Sequence, residues 1–139
     1  MSKLFTLSKK ERLKSKKCIE TLFQTGKAFL IHPFRIIYSP HPLTLGESST
    51  QVMVSVPKKL FRKAAQRNRI RRQVKEAYRL QQIPLQDCLR QLQCQLQIMI
   101  IYQRNEPLKY NDIFQRIGEG LEKIRKAQQK ASGNTNVSF

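Results

Sequence analysis

Ile70, Val74, Ala77 and Tyr78 recur at i, i+4, i+7 and i+8, the spacing of one face of an α-helix. A rotation of about 100° per residue puts Asn68, Arg72, Lys75 and Arg79 on the opposite side, with Arg69 and Arg71 flanking it. The pattern predicts a helix over about 62–82, halted by Pro84. Leu85, Leu89 and Leu92 support one or two further helical turns. Val52, Val54 and Val56 alternate with Gln51, Met53 and Ser55, which predicts a half-buried strand ended by Pro57. The β-branched and aromatic run 33–38 predicts another strand, and 41–50 reads as a loop. Residues 96–102 are almost continuously apolar, as in a strand buried on both faces.

Helical spacing returns at both ends of the chain. Cys18, Ile19, Leu22 and Phe23 share one face of a helix over about 16–25, with Gly26 as a C′ residue. Ser8 and Glu11 have the S-x-x-E form of a capping box ahead of it. Ile113, Phe114, Ile117, Leu121 and Ile124 mark a last amphipathic helix, weakened by Gly118 and Gly120. The order α, two or three strands, α, β, α predicts an α+β domain with helices packed on a small sheet. Residues 1–128 read as a single domain, and 129–139 as a disordered tail. Phe23, Phe34 and Tyr38 are read mainly as core, although a sheet face with aromatics beside positive charge can also stack unpaired bases. Arg35 alternates with Phe34 and Ile36, so it points to the other face.

Charge changes this picture. The chain of 139 residues carries 27 Lys and Arg against nine acidic residues, a formal charge of +18. A domain this small repels itself until a polyanion neutralises it, and nucleic acid is the first candidate. Residues 58–79 hold ten Lys or Arg and one acidic residue, Glu76. Solvated helix faces usually mix signs, because Glu–Lys pairs at i, i+4 add stability. Here like charges adjoin, and Arg outnumbers Lys, which suits bidentate contact with phosphate. Asn68 adds a neutral group able to meet a sugar or a base edge. The run Lys9, Lys10, Arg12, Lys14, Lys16 and Lys17 is a second basic element, fit for a soluble arm or for backbone contact.

Other chemistries find little support. No apolar run is long enough to span a bilayer, and the amino-terminal segment lacks the apolar stretch of a secretory signal, so a cytoplasmic protein without membrane contact is expected. Cys18, Cys88 and Cys94 have no C-x-x-C spacing, and His32 and His41 complete no familiar zinc pattern, so no metal site is expected. There is no P-loop, nucleophile motif or H-E-x-x-H, and no catalytic residue is assigned. An auxiliary protein to a catalytic or structural RNA fits these absences better than a nuclease acting alone.

At Arg67-Asn68-Arg69 the chain resembles the protein component of bacterial ribonuclease P. The likeness includes Arg12-Leu13-Lys14, Phe23-x-x-Gly26, Val54-x-Val56-x-Lys58-Lys59, Lys63-Ala64, Arg67 through Arg72, and Glu76-Ala77, and spans roughly residues 4–126. The resemblance implies an α-β-β-β-α-β-α sandwich of the ribosomal protein S5 domain 2-like type, with a left-handed βαβ crossover through the R-N-R helix. It implies a subunit of a ribonucleoprotein endoribonuclease that removes the 5′ leader of precursor tRNA. The RNA subunit would supply catalysis with Mg²⁺ bound mainly to RNA, and this chain would carry no cofactor. The implied partners are that RNA and precursor tRNA, and no protein partner is predicted. RNA contacts are implied at Arg67, Asn68, Arg69, Arg71, Arg72 and Lys75; charge and helix position add Arg12, Lys58, Lys59, Lys63 and Arg79 as candidate RNA contacts. A cleft for the single-stranded leader is implied between the first helix and the sheet at Ile19 and Phe23, and the aromatic and basic pattern of the strand 33–38 adds Arg35 and Tyr38 as candidates. The family usually has Arg where Lys75 stands and often Phe where Ile19 stands, so a guanidinium fork and a stacking ring are absent there. Pro57 replaces a small polar residue, and Arg104 follows the last strand where the family often has Arg. A structural ribosomal RNA-binding protein is the alternative; it explains the charge but not the order of Val-x-Lys-Lys and R-N-R.

Overall fold

The computed structural model describes residues 9–137, with side chains to residue 131. A short 3-10 turn, Lys9–Glu11, leads into helix α1 (Lys16–Thr25). Three strands follow: β1 (Lys27–Ile31), β2 (Phe34–Pro42) and β3 (Thr50–Ser55). Helix α2 (Ala64–Gln81) runs almost directly into α3 (Ile83–Gln91). Strand β4 (Cys94–Tyr102) and helix α4 (Tyr110–Val137) complete the chain.

The four strands form one mixed sheet in the order β1-β2-β4-β3. β1 pairs with β2 and β2 with β4 antiparallel, while β3 and β4 are parallel. A parallel pair needs a long crossover, and α2 with α3 supplies it. The amino-terminal segment adds to the free side of β3 through an Arg12–Val52 bridge and a bond from the Leu13 N–H to the Val52 carbonyl (3.1 Å).

Strand alternation sorts the side chains into two cores. Ile36, Tyr38, Val52, Val54, Ile98 and Ile100 face α2 and α4, where Ile70, Val74, Ala77, Tyr78, Ile113, Ile117 and Leu121 meet them. Ile37 and Met99 face the other way, against Leu13 of the amino-terminal segment and Leu22 of α1. The sheet is therefore a middle layer. β4 is buried on both faces, as the apolar run over its residues 98–102 requires. Burial also explains why α2 tolerates its charge. Each buried Ile, Val or Tyr contributes roughly 1.5–3 kcal/mol, against a few tenths for a like-charge neighbour.

Several expectations change. Ser8 of the expected capping box lies outside the described residues; the cap of α1 is Ser15, whose hydroxyl accepts from the Cys18 N–H (3.3 Å). Gly26 is extended (φ −70°, ψ 157°), not left-handed. Its role is close approach: a Cβ there would stand 2.6 Å from the Leu22 carbonyl oxygen and 2.7 Å from Ile37 Cγ2. β1 is an addition to the residue pattern, and β2 takes in residues 39–42 assigned to loop. Pro84 does not end helical structure, because it sits in the first turn of α3, where a missing N–H costs nothing. Gly120 lies at a helix–sheet contact, where a Cβ would come within 2.6 Å of Ile36 Cδ1. The boundary expected at residue 128 falls inside α4, which continues to Val137.

Candidate nucleic-acid interface

α2 begins without a side-chain cap and has no acid in its first turn. The turn before it, closed by the Leu60 N–H on the Pro57 carbonyl (3.1 Å), exposes Lys58 and Lys59. Lys63, also exposed, precedes the first helical residue. The positive end of the helix dipole therefore coincides with three lysines, a combination that favours an anion.

Farther along, Asn68, Arg71, Arg72 and Lys75 line one open depression. Arg12, anchored by its bridge to β3, approaches the same flank. Burial, and then the charges of Arg71 and Arg12, push the Lys75 ammonium below its ordinary pKa. Like charges are thus held together on a folded frame. Among the described residues, the ion pairs Arg90–Asp87, Arg104–Glu106, Arg116–Glu119 and Arg125–Glu122 all lie off α2.

The remaining cations of the segment point elsewhere. Arg69 projects to a separate cavity toward Leu108 and Lys109. Arg79 is half-buried at the seam with α4: its Nε is buried without a partner, and its charge opposes the rise that burial imposes on the Tyr110 hydroxyl. Arg67 is buried, only 9% exposed. Its Nη1 donates to the carbonyls of Phe61 (2.7 Å) and Arg62 (2.9 Å), so it braces the turn into α2 from inside. The resemblance implies an RNA contact at Arg67; the structure gives its side chain to the protein.

On the opposite face of the sheet, α1 leaves a cavity of about 440 Å³ open beside it. Ile19, Glu20, Phe23 and Gln24 form its helical wall, with Met53, Ser55, Met99 and Ile101 among the strand residues that line it. Phe23 is 53% exposed, contrary to the core reading, and the Arg35 guanidinium lies over its ring at 5.6 Å. An exposed ring with a cation over it is a platform able to stack a base and hold its phosphate. Tyr38 does not belong to this group. It is buried on the α2/α4 face, with its ring edge-on to Phe29 at 6.0 Å. The same alternation that sends Arg35 outward sends Phe34, Ile36 and Tyr38 inward, so the strand pattern could have placed Tyr38 correctly. It could also have found Met53 and Ser55, which share the parity of Gln51 rather than of Val52. Among the described residues, no group of three or more His, Cys, Asp or Glu side chains could hold a metal ion, and no helix is long and apolar enough to cross a membrane.

The family model described as Ribonuclease P matches residues 7–125. The ribonuclease P protein component of Porphyromonas gingivalis is 42% identical over 102 residues, covering 70% of this chain and 72% of that protein. Among solved structures, the RNase P protein of Staphylococcus aureus aligns with a TM-score of 0.63 at 20% identity, over 84% of this chain and 95% of that one. The RNase P protein of Thermotoga maritima aligns at 0.64 and 19% identity, over 81% and 96%. At such identities the two structures speak for the fold alone, an α+β domain built on a small mixed sheet.

Proposed function

The chain belongs to the ribonuclease P protein family, and we propose that it binds the catalytic RNA of a ribonuclease P and the 5′ leader of precursor tRNA. The holoenzyme then removes the leader to give the mature 5′ end. The observation that carries this reading is the division of labour on two faces of one sheet. Lys58, Lys59, Lys63, Asn68, Arg71, Arg72 and Lys75, with Arg12 beside them, form a basic flank for the RNA subunit. The cleft beside α1, with Phe23 and Arg35, suits a single strand. In this division Mg²⁺ held by the RNA serves the cleavage chemistry, while this chain's side chains bind, orient and neutralise phosphate. Such a holoenzyme would work in the cytoplasm, where its tRNA precursors are made.

Measuring RNA-subunit affinity against salt concentration tests the assignment of the flank. Replacing Arg71 and Arg72 together by Ala lowers the slope of log affinity against log salt by roughly two in magnitude. An unchanged slope would remove phosphate contact from this flank.

A further inference from the structure

Between the amino-terminal half of α2 and the segment leading into α4 lies a cavity of about 300 Å³, at the small end of the range for ligand sites. It opens on the α2/α4 side of the sheet, on the layer opposite the cleft of Phe23. Phe61, Ile70 and Leu108 give it an apolar floor. Gln66 and Gln73 contribute carboxamides, which donate and accept hydrogen bonds without charge. Arg69 and Lys109, both exposed, supply cations from two different segments. No acidic side chain lines it.

Both walls are pinned by the fold. The buried Arg67 holds the Phe61 and Arg62 carbonyls on one side. On the other, the Tyr102 hydroxyl donates to the Glu106 carbonyl at 2.6 Å, fixing the segment that carries Leu108 and Lys109. The Phe61 and Tyr102 rings pack at 5.9 Å and join the two walls. A cavity held this way needs little ordering when it is filled, which favours binding.

We infer that this cavity receives one unpaired base of the RNA subunit, with Arg69 and Lys109 on its flanking phosphates. The inference rests on the function proposed above and adds a base contact to a surface otherwise suited to the backbone. The chemistry matches a nucleotide in each part: apolar surface for the face of the base, carboxamides for its edge, cations for phosphate. The volume suits one base and excludes a paired stretch. The RNA subunit is the source because Arg69 shares α2 with Asn68, Arg71, Arg72 and Lys75, whereas the cleft suited to the leader lies across the sheet.

Filling the cavity tests this. Gln73→Trp fills it from α2; Gln66→Trp, at an exposed position, does so with little risk to folding. Each variant is assembled with the cognate RNA subunit, its affinity is measured, and the RNA is probed with base-modifying reagents. Wild-type protein is expected to shield one unpaired base of the RNA subunit. Both Trp variants should expose that base and weaken binding roughly tenfold, the scale of losing one base contact, with the salt slope unchanged. Wild-type affinity and shielding in Gln66→Trp would overturn the inference while leaving the proposed function standing. So would shielding that moves to the leader of precursor tRNA. Failure of the wild-type protein to bind the RNA subunit at all would overturn the function itself.

Discussion

Arg67 and Arg71 stand one helical turn apart, and the fold gives them opposite tasks. Arg67 turns inward to two backbone carbonyls, while Arg71 stays with Arg72 and Lys75 on the open flank. Arg67→Ala strands two carbonyls and removes charge-assisted bonds, so it should destabilise the free protein by about 3 kcal/mol in denaturant unfolding. Arg71→Ala should leave stability nearly unchanged and lower the salt slope of RNA binding by about one. Lys75 shows the cost of assembling like charges. Its folded pKa is depressed by burial and by Arg71 and Arg12, so the unfolded chain binds more protons between the depressed value and the ordinary one. Stability from this group is therefore lacking at neutral pH and rises as pH climbs through that alkaline window. Lys75→Met should raise the melting temperature of the free protein and weaken its binding to RNA, both measurable on one preparation. Sequence alone could not separate Arg67 from its neighbours, because all of them read as cations on a helix. The difference comes from the turn at Phe61, which packs against Tyr102 far along the chain.

At the scale of elements, periodicity was legible wherever one face of an element is buried and the other is wet. α2, β3 and α4 have such faces, and β4 declared itself by the almost continuously apolar run 96–102. β1 escaped because it is an edge strand with mostly exposed residues and no alternation to detect. α3 was legible only as a turn or two, because Pro84 signals a stop in one register and a start in another. Gly26 was recognised as a helix end for the wrong physical reason. Its backbone is extended, and what it supplies is the absence of a Cβ where α1 comes down on β2. Gly26→Ala should therefore destabilise the fold by about 1–3 kcal/mol, the usual range for overpacking. A denaturation midpoint equal to wild type would show that the contact relaxes freely. The cleft beside α1 depends on the same junction, so this variant should also weaken binding of single-stranded leader relative to mature tRNA.

Across the whole molecule, the mixed sheet separates two surfaces that one small domain must keep apart. One carries the basic flank of α2 and the cavity beside Arg69. The other carries the open cleft of Phe23 and Arg35. A formal charge of +18 makes the free protein sensitive to salt. Composition pointed to a polyanion, but the assignment of residues to opposite faces required the strand register. The most direct test of the central claim is reconstitution: cleavage of precursor tRNA by the cognate RNA subunit at low Mg²⁺, with and without this protein. The account predicts that adding the protein restores accurate removal of the 5′ leader under conditions where the RNA alone is nearly inactive. Equal cleavage with and without the protein would contradict it.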